Sequence, residues 1–191
     1  MSQVEERLFE LGLSVPEVVP PVAAYTPAVR TGSYVFTSGQ LPMQSGALVA
    51  TGKVGAEVSA EQAKELAAIC ALNAIAALKS VVGDLDAVVR IVKVVGFVAS
   101  DPSFTGQPGV VNGASELLGA AFGDAGVHAP FVRHDLAFHL RHGKAQRQRG
   151  EALARARLEP LEQVLVTRVV RDHQHEFGGG HQQLAGGLDR Q

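Results

Sequence analysis

The spacing of apolar and polar positions changes several times along this chain, and each change predicts an element. Glu and Leu recur at helical spacing over residues 4–11 and are stopped by Gly12, which predicts a short opening helix. Pro16, Pro20 and Pro21 then forbid regular structure and lead into a first strand expected over 22–26. Arg30, Thr31 and Gly32 supply a turn, and residues 33–37 are dense in β-branched and aromatic side chains, so the two runs read as a hairpin. Gln44, Ser45 and Gly46 predict a further turn before residues 47–51.

Ser59, Ala60, Glu61 and Gln62 form the pattern of a capping box, and a long helix is expected from there to about Val81. Its apolar residues, among them Leu66, Ile69, Cys70, Leu72, Ile75 and Leu78, nearly encircle it, so it must lie on a sheet and be covered elsewhere too. Gly83 to Asp86 ends it. Residues 87–98 are almost continuously apolar, which predicts a strand buried on both faces, as in a central parallel strand. A loop rich in proline and glycine precedes a second helix expected over 110–122. Strands, helix, strand, helix, then room for one or two more strands give an α+β sandwich with the helices on one face.

Composition adds bounds. With 46% apolar residues in 191, the chain can bury one sizeable domain and carry a tail. Net charge is only −2, but up to Ala129 there are 7 basic against 12 acidic residues, and from Pro130 onward 10 against 7. No basic stripe with interleaved aromatics marks the first two thirds, so nucleic acid is not expected as a partner. One cysteine, Cys70, excludes an internal disulfide and suits a reducing cytosol; its apolar setting predicts an inert thiol. No apolar run is expected to span a membrane, and the location expected is the cytoplasm. There is no P-loop, dinucleotide fingerprint, zinc spacing or nucleophile elbow, so neither cofactor nor metal is indicated.

The run from Ala24 to Pro42, with Tyr25, the Arg30-Thr31-Gly32 turn and Ser38-Gly39-Gln40-Leu41-Pro42 closing a strand, resembles the opening of the RidA/YjgF family, also called endoribonuclease L-PSP or chorismate-mutase-like. Val92 to Val98, the loop with Phe104, and Asn112 to Leu118 resemble it too; Gly52 to Ala56 and Cys70 to Ala74 match one subgroup. The resemblance implies a chorismate-mutase-like fold, a homotrimer closing into a barrel, and a cleft between subunits for a small metabolite. In deaminating relatives water attacks an imine beside a carboxylate, and an arginine fork holds the carboxylate. Tyr25, Ser38, Gly39 and Asn112 match the family's ligand-contacting positions. Each also has a plain structural reading: Tyr25 as a half-buried strand residue, Ser38 as a turn hydroxyl, Asn112 as a helix-start residue satisfying free amides.

The resemblance breaks after Ala129. The family pattern places an arginine next, and this chain has Pro130, so no catalytic residue can be assigned and hydrolytic deamination of imines is expected to be weak or absent. The sequence divides into a helix and linker over 1–21, a family-like domain over 22–129 and an atypical tail over 130–191. Six of seven histidines and nine of twelve arginines lie from Phe131 onward, an abrupt change that looks like translation in another reading frame, with a genuine extension as the rival. The family's last strands are replaced, and an unpaired inner sheet edge is the expected consequence. Gln163 to Val170 has strand-like content and could pair with that edge. Residues 151–158 read as a helix, His173, His175 and His181 as a solvated stretch rather than a metal site, the Arg147 to Arg157 run as a poor nucleic-acid patch, and Arg133 as a remote candidate for a displaced clamp. Two other functions stay open: a non-catalytic metabolite-binding trimer and an endoribonuclease.

Overall fold

The computed structural model describes residues 1–20, 24–134 and 166–170. The chain order is helix α1 (Gln3–Glu10), strands β1 (Ala28–Thr31), β2 (Tyr34–Thr37), β3 (Met43–Gln44) and β4 (Ala47–Leu48), helix α2 (Ala60–Val82), strand β5 (Arg90–Val98), helix α3 (Gln107–Phe122), and strands β6 (Ala129–His134) and β7 (Val166–Val170). A five-stranded sheet runs β1-β2-β7-β5-β6, and β3-β4 form a separate small hairpin. The fold is α+β, as the element pattern of the sequence predicts.

Local chemistry sets most boundaries. Ser2 accepts from the Glu5 amide while Glu5 returns a bond to the Ser2 amide, a complete capping box at α1 that the sequence pattern had marked only at Ser59. Asp86 adds its carboxylate to the Gln3 and Val4 amides at 2.8 and 3.2 Å. Ser59 caps α2 by accepting from the Gln62 amide, and Gly83 ends that helix at positive φ. Gly32, also at positive φ, is the first residue of the two-residue β1-β2 turn. Ser45 and Gly46 both take positive φ in the β3-β4 turn, which is the demand of a type I′ hairpin.

Several expectations shift. The first strand lies at Ala28–Thr31, not 22–26, because Pro27 precedes it and the pairing partner begins only at Tyr34; residues 22 and 23 lie outside the described set. The strand expected from 87 starts at Arg90, since Leu85–Ala87 wind into a 3-10 turn capped by Asp84. Nor is β5 buried on both faces. Ile91, Val94 and Val98 are buried, whereas Lys93 is exposed and Val95 and Phe97 are half-buried. The second helix begins three residues early, at Gln107, with Pro108 in its first turn where a missing amide costs nothing.

The sharpest correction concerns the end of the sheet. Instead of an unpaired edge after Ala129, β6 continues parallel to β5, and β7 inserts antiparallel between β2 and β5. The strand reading of residues up to Val170 holds, but the strand is central rather than peripheral. The replacing sequence itself fills the places of the last strands. Pro130 is accommodated because β6 is an edge strand, where a missing amide is tolerated. The helix expected over 151–158, the histidines of the tail and the Arg147 to Arg157 run lie outside the described residues.

The core lies between the sheet and the two long helices. Leu66, Ile75 and Leu78 of α2, Val110 and Leu118 of α3, and Ile91, Val94 and Val98 of β5 are buried almost completely, and a fully buried aliphatic side chain contributes about 1.5–3 kcal/mol. α2 is long and apolar enough by length and composition to cross a membrane, contrary to the sequence expectation; most of its apolar stretch is buried in this core, as in a core helix. Gly113 lets the helices cross closely, since a Cβ there would overlap the Lys64 carbonyl oxygen. On the sheet's other face Val29 is 55% and Phe36 36% exposed.

Candidate functional site

The segment after β2 is shaped by short backbone bonds. The Ser38 amide donates to the Pro27 carbonyl at 2.8 Å, and the Ser38 hydroxyl donates to the Thr26 carbonyl at 2.5 Å. Ser38 therefore spends its proton on the chain leading out of Tyr25, and its oxygen keeps lone pairs for accepting. The structure gives Ser38 its turn-hydroxyl reading, with a remaining capacity that is acceptor only. Gln40 is buried and its amide donates to the Ser38 carbonyl at 3.0 Å.

Two of the expected site residues meet. Tyr25 and Gly39 line one recess together with Pro20, Pro27, Leu41 and Met43. Tyr25 is 43% exposed, so it forms a rim rather than a core contact. Ser38 adjoins this recess through the backbone. Asn112 does not line it. Because α3 starts at Gln107, Asn112 sits in the second turn with its side chain exposed, which removes the helix-start reading. Pro130, at the expected clamp position, pairs in register with Val94, and Arg133 with Phe97.

Three residues that sequence reasoning passed over carry buried polar atoms. Asn73, buried in α2, donates to the carbonyls of Leu41 and Met43, both at 3.0 Å, and so fixes the recess wall to the helix. Its only sequence signal is a lone amide inside an apolar helical run. Gln107 is buried and donates to the Ser100 hydroxyl and the Phe104 carbonyl at 3.0 and 2.6 Å, which holds the loop carrying Phe104. His128, just before β6, has a buried Nδ1 with no hydrogen-bond partner among the described residues, and burial, only partly offset by the Ala129 backbone, pushes its pKa below the ordinary histidine value. A broader groove beside the recess is lined by the 12–20 linker, the β3-β4 hairpin, and Ile69, Leu72 and Asn73 of α2. Among the described residues no group of three or more His, Cys, Asp or Glu is placed to hold a metal.

The family model described as "YjgF/chorismate_mutase-like, putative endoribonuclease" matches residues 5–141. This chain belongs to the YjgF family. The match runs past Ala129 and takes in all of β6. Protein TCP17 of Trypanosoma cruzi is 38% identical over 128 residues, covering 66% of this chain and 80% of that protein. The crystal structure of Atu1372 from Agrobacterium tumefaciens, a protein "with unknown function", shares 32% identity with a TM-score of 0.70, covering 88% of this chain and 92% of its own. A structure described as a "putative endoribonuclease" from Shewanella oneidensis shares 28% identity with a TM-score of 0.71, covering 88% and 98%.

Proposed function

We propose that this YjgF-family protein binds a small keto or imine acid in a cleft completed between subunits, and that it hydrolyses imines weakly or not at all. The observation that carries this reading is the recess where Tyr25 and Gly39 meet beside Ser38. In one chain the recess measures only ≈ 20 Å³, so the aromatic rim, the glycine and the neighbouring acceptor hydroxyl form one wall of a site that a second subunit must complete.

Hydrolysis of an imine would require water to add to the imine carbon and ammonia to leave, with the substrate's carboxylate held so that the carbon meets the water. An arginine fork does this well because it is planar and bidentate. Pro130 offers no donor, so orientation, and with it transition-state stabilisation, is what this chain lacks.

Burial of the sheet face that carries Val29 and Phe36 supports a homotrimer, since both would otherwise leave apolar surface in water. The cytoplasm suits its single buried cysteine.

The test is turnover of 2-iminopropionate together with thermal stabilisation by pyruvate. Stabilisation without turnover is the expected result, and Ser38→Ala is expected to reduce it. Rapid turnover would refute impaired catalysis; no stabilisation by any small keto acid would refute the cleft reading. The rival reading as an endoribonuclease draws on the family description and the Shewanella relative's name, and a nuclease assay with salt titration separates it.

A further inference from the structure

A groove of about 870 Å³ shares Val19, Pro20 and Met43 with the recess, whose own volume is about 20 Å³. Small-molecule sites measure roughly 300–1,000 Å³. The groove originates in α2, whose apolar residues nearly encircle it while the core covers only part of the circle. Ile69 and Leu72 stay half-buried, and the 12–20 linker and the β3-β4 hairpin stand over them without closing the gap. Both walls are stiff, because Pro16 and Pro20 fix their own φ in the linker and Asn73 ties Leu41 and Met43 to the helix. A groove formed in advance spares a ligand the entropy of ordering its walls.

Two residues set what the groove asks of a ligand. Asn73 is 2% exposed and lines the groove but not the recess. Both of its hydrogen bonds use Nδ2, which exhausts that nitrogen's donors and leaves Oδ1 as an acceptor to which no described residue donates. Among the described residues only His128 Nδ1 is both sealed from solvent and without a partner. The Asn73 oxygen is therefore reachable, and the space that reaches it is this groove. Glu17, exposed on the linker, is the single ionisable residue of the described lining. An accepting oxygen at the floor, apolar walls from Val18, Ile69 and Leu72, and a carboxylate at the rim complement an apolar cation with a second N–H donor, and disfavour an anion.

We propose that this groove is a second binding site, for a small aromatic amine. A ring N–H donates to Asn73 Oδ1, the ring lies on Ile69 and Leu72, and the protonated amine stands at Glu17. The Cys70 to Ala74 run, which the recess leaves without a role, supplies both Leu72 and Asn73. The ligand class is opposite in charge to the keto or imine acid assigned to the recess, and neither reading depends on the other.

Calorimetric titration of the full-length protein with tryptamine, 1-methyltryptamine and indole-3-acetate tests this in the wild type, Glu17→Gln and Ile69→Trp. Tryptamine is expected to bind roughly tenfold more tightly than 1-methyltryptamine, whose ring nitrogen has no hydrogen to donate, and about fivefold more tightly than the anionic indole-3-acetate. Glu17→Gln is expected to narrow the second gap and leave the first unchanged. Ile69→Trp fills the groove and is expected to abolish binding; should it fail to fold, Glu17→Gln decides, because its residue is exposed. Equal binding of tryptamine and its 1-methyl derivative overturns the bond to Asn73. Indole-3-acetate bound as tightly as tryptamine, or a charge preference unchanged in Glu17→Gln, overturns the amine assignment. Displacement of tryptamine by pyruvate puts it in the recess and overturns the second site, as does the absence of any binding tighter than about 1 mM.

Discussion

The Lys79 ammonium, in the last turn of α2, donates to Oε1 of Glu5 on α1 at 2.5 Å. This pair ties the N-terminal helix to the end of the longest one, and it lowers the Glu5 carboxyl to about 2, chiefly through the Lys79 bond and then through the Ser2 amide. Glu5 thus belongs to two devices at once, a helix cap and an interhelix ion pair.

Because the folded value of Glu5 lies below its ordinary value of 4.5, its contribution is complete above about 4.5 and is lost as pH falls toward 2. Lys79 is 40% exposed, so solvent screening limits the pair to about 1 kcal/mol. Glu5→Gln is expected to be less stable than wild type by that amount at pH 7. In urea unfolding the gap should close between pH 4.5 and pH 2; a gap independent of pH would show that the carboxylate's charge is not what matters.

Gly113→Ala places a methyl group on the Lys64 carbonyl, a backbone atom that cannot swing aside. Separating α2 from α3 is expected to cost about 3 kcal/mol, at the upper end for overpacking. Gly119→Ala on the same helix meets nothing within 4 Å and should be neutral or slightly stabilising. Denaturant midpoints of the two variants, compared side by side, check this.

Removing the Asn73 amide leaves the carbonyls of Leu41 and Met43 without its two bonds. Asn73→Ala is expected to cost about 2 kcal/mol and to weaken pyruvate binding by loosening the wall of the recess. Hydrogen exchange should quicken at the Met43 amide, which donates to the Leu41 carbonyl; unchanged exchange there would show that Asn73 does not hold the wall.

Burial raises the pKa of the Cys70 thiol well above the usual value. It is expected to resist a thiol reagent in the native protein at pH 8 and to react fully once urea unfolds the chain, so its labelling rate reports global opening. Rapid native labelling would contradict its position in the core.

A chain stopped after His134 lacks β7, and β2 and β5 then lose the strand between them. Such a truncation is expected to be insoluble or aggregated, by the logic of exposed edges. Peptide mapping of the natural protein across Gly126 to Asp135 should recover His-Ala-Pro-Phe-Val-Arg; recovery of Ala-Arg-Ser-Ala in its place would mark residues after Ala129 as a reading-frame change.

Elements with a local cause were legible in the chain. The ends of α2 followed from Ser59 and Gly83, whose capping chemistry acts within one turn, and the β3-β4 turn from Ser45-Gly46, whereas of the turn expected at Arg30-Thr31-Gly32 only Gly32 lies in it, Arg30 and Thr31 being paired in β1. Part of the candidate site was legible in the same way, since Tyr25 and Gly39 do share a recess. Asn112 was misplaced because Gln107 and Pro108 start α3 a turn earlier than its apolar run suggests. Asn73 was invisible because its partners, Leu41 and Met43, are some thirty residues away.

By itself, then, the sequence determined what short-range chemistry determines: the caps, the turns, the apolar faces that require an α+β sandwich, and the motifs that place the chain in its family. Only the tertiary structure decided that β7 lies between β2 and β5 and that Pro130 occupies an edge where it can be tolerated. Strand pairing joins residues tens of positions apart through backbone bonds that every amino acid except proline can make, so no local pattern specifies which strands become neighbours.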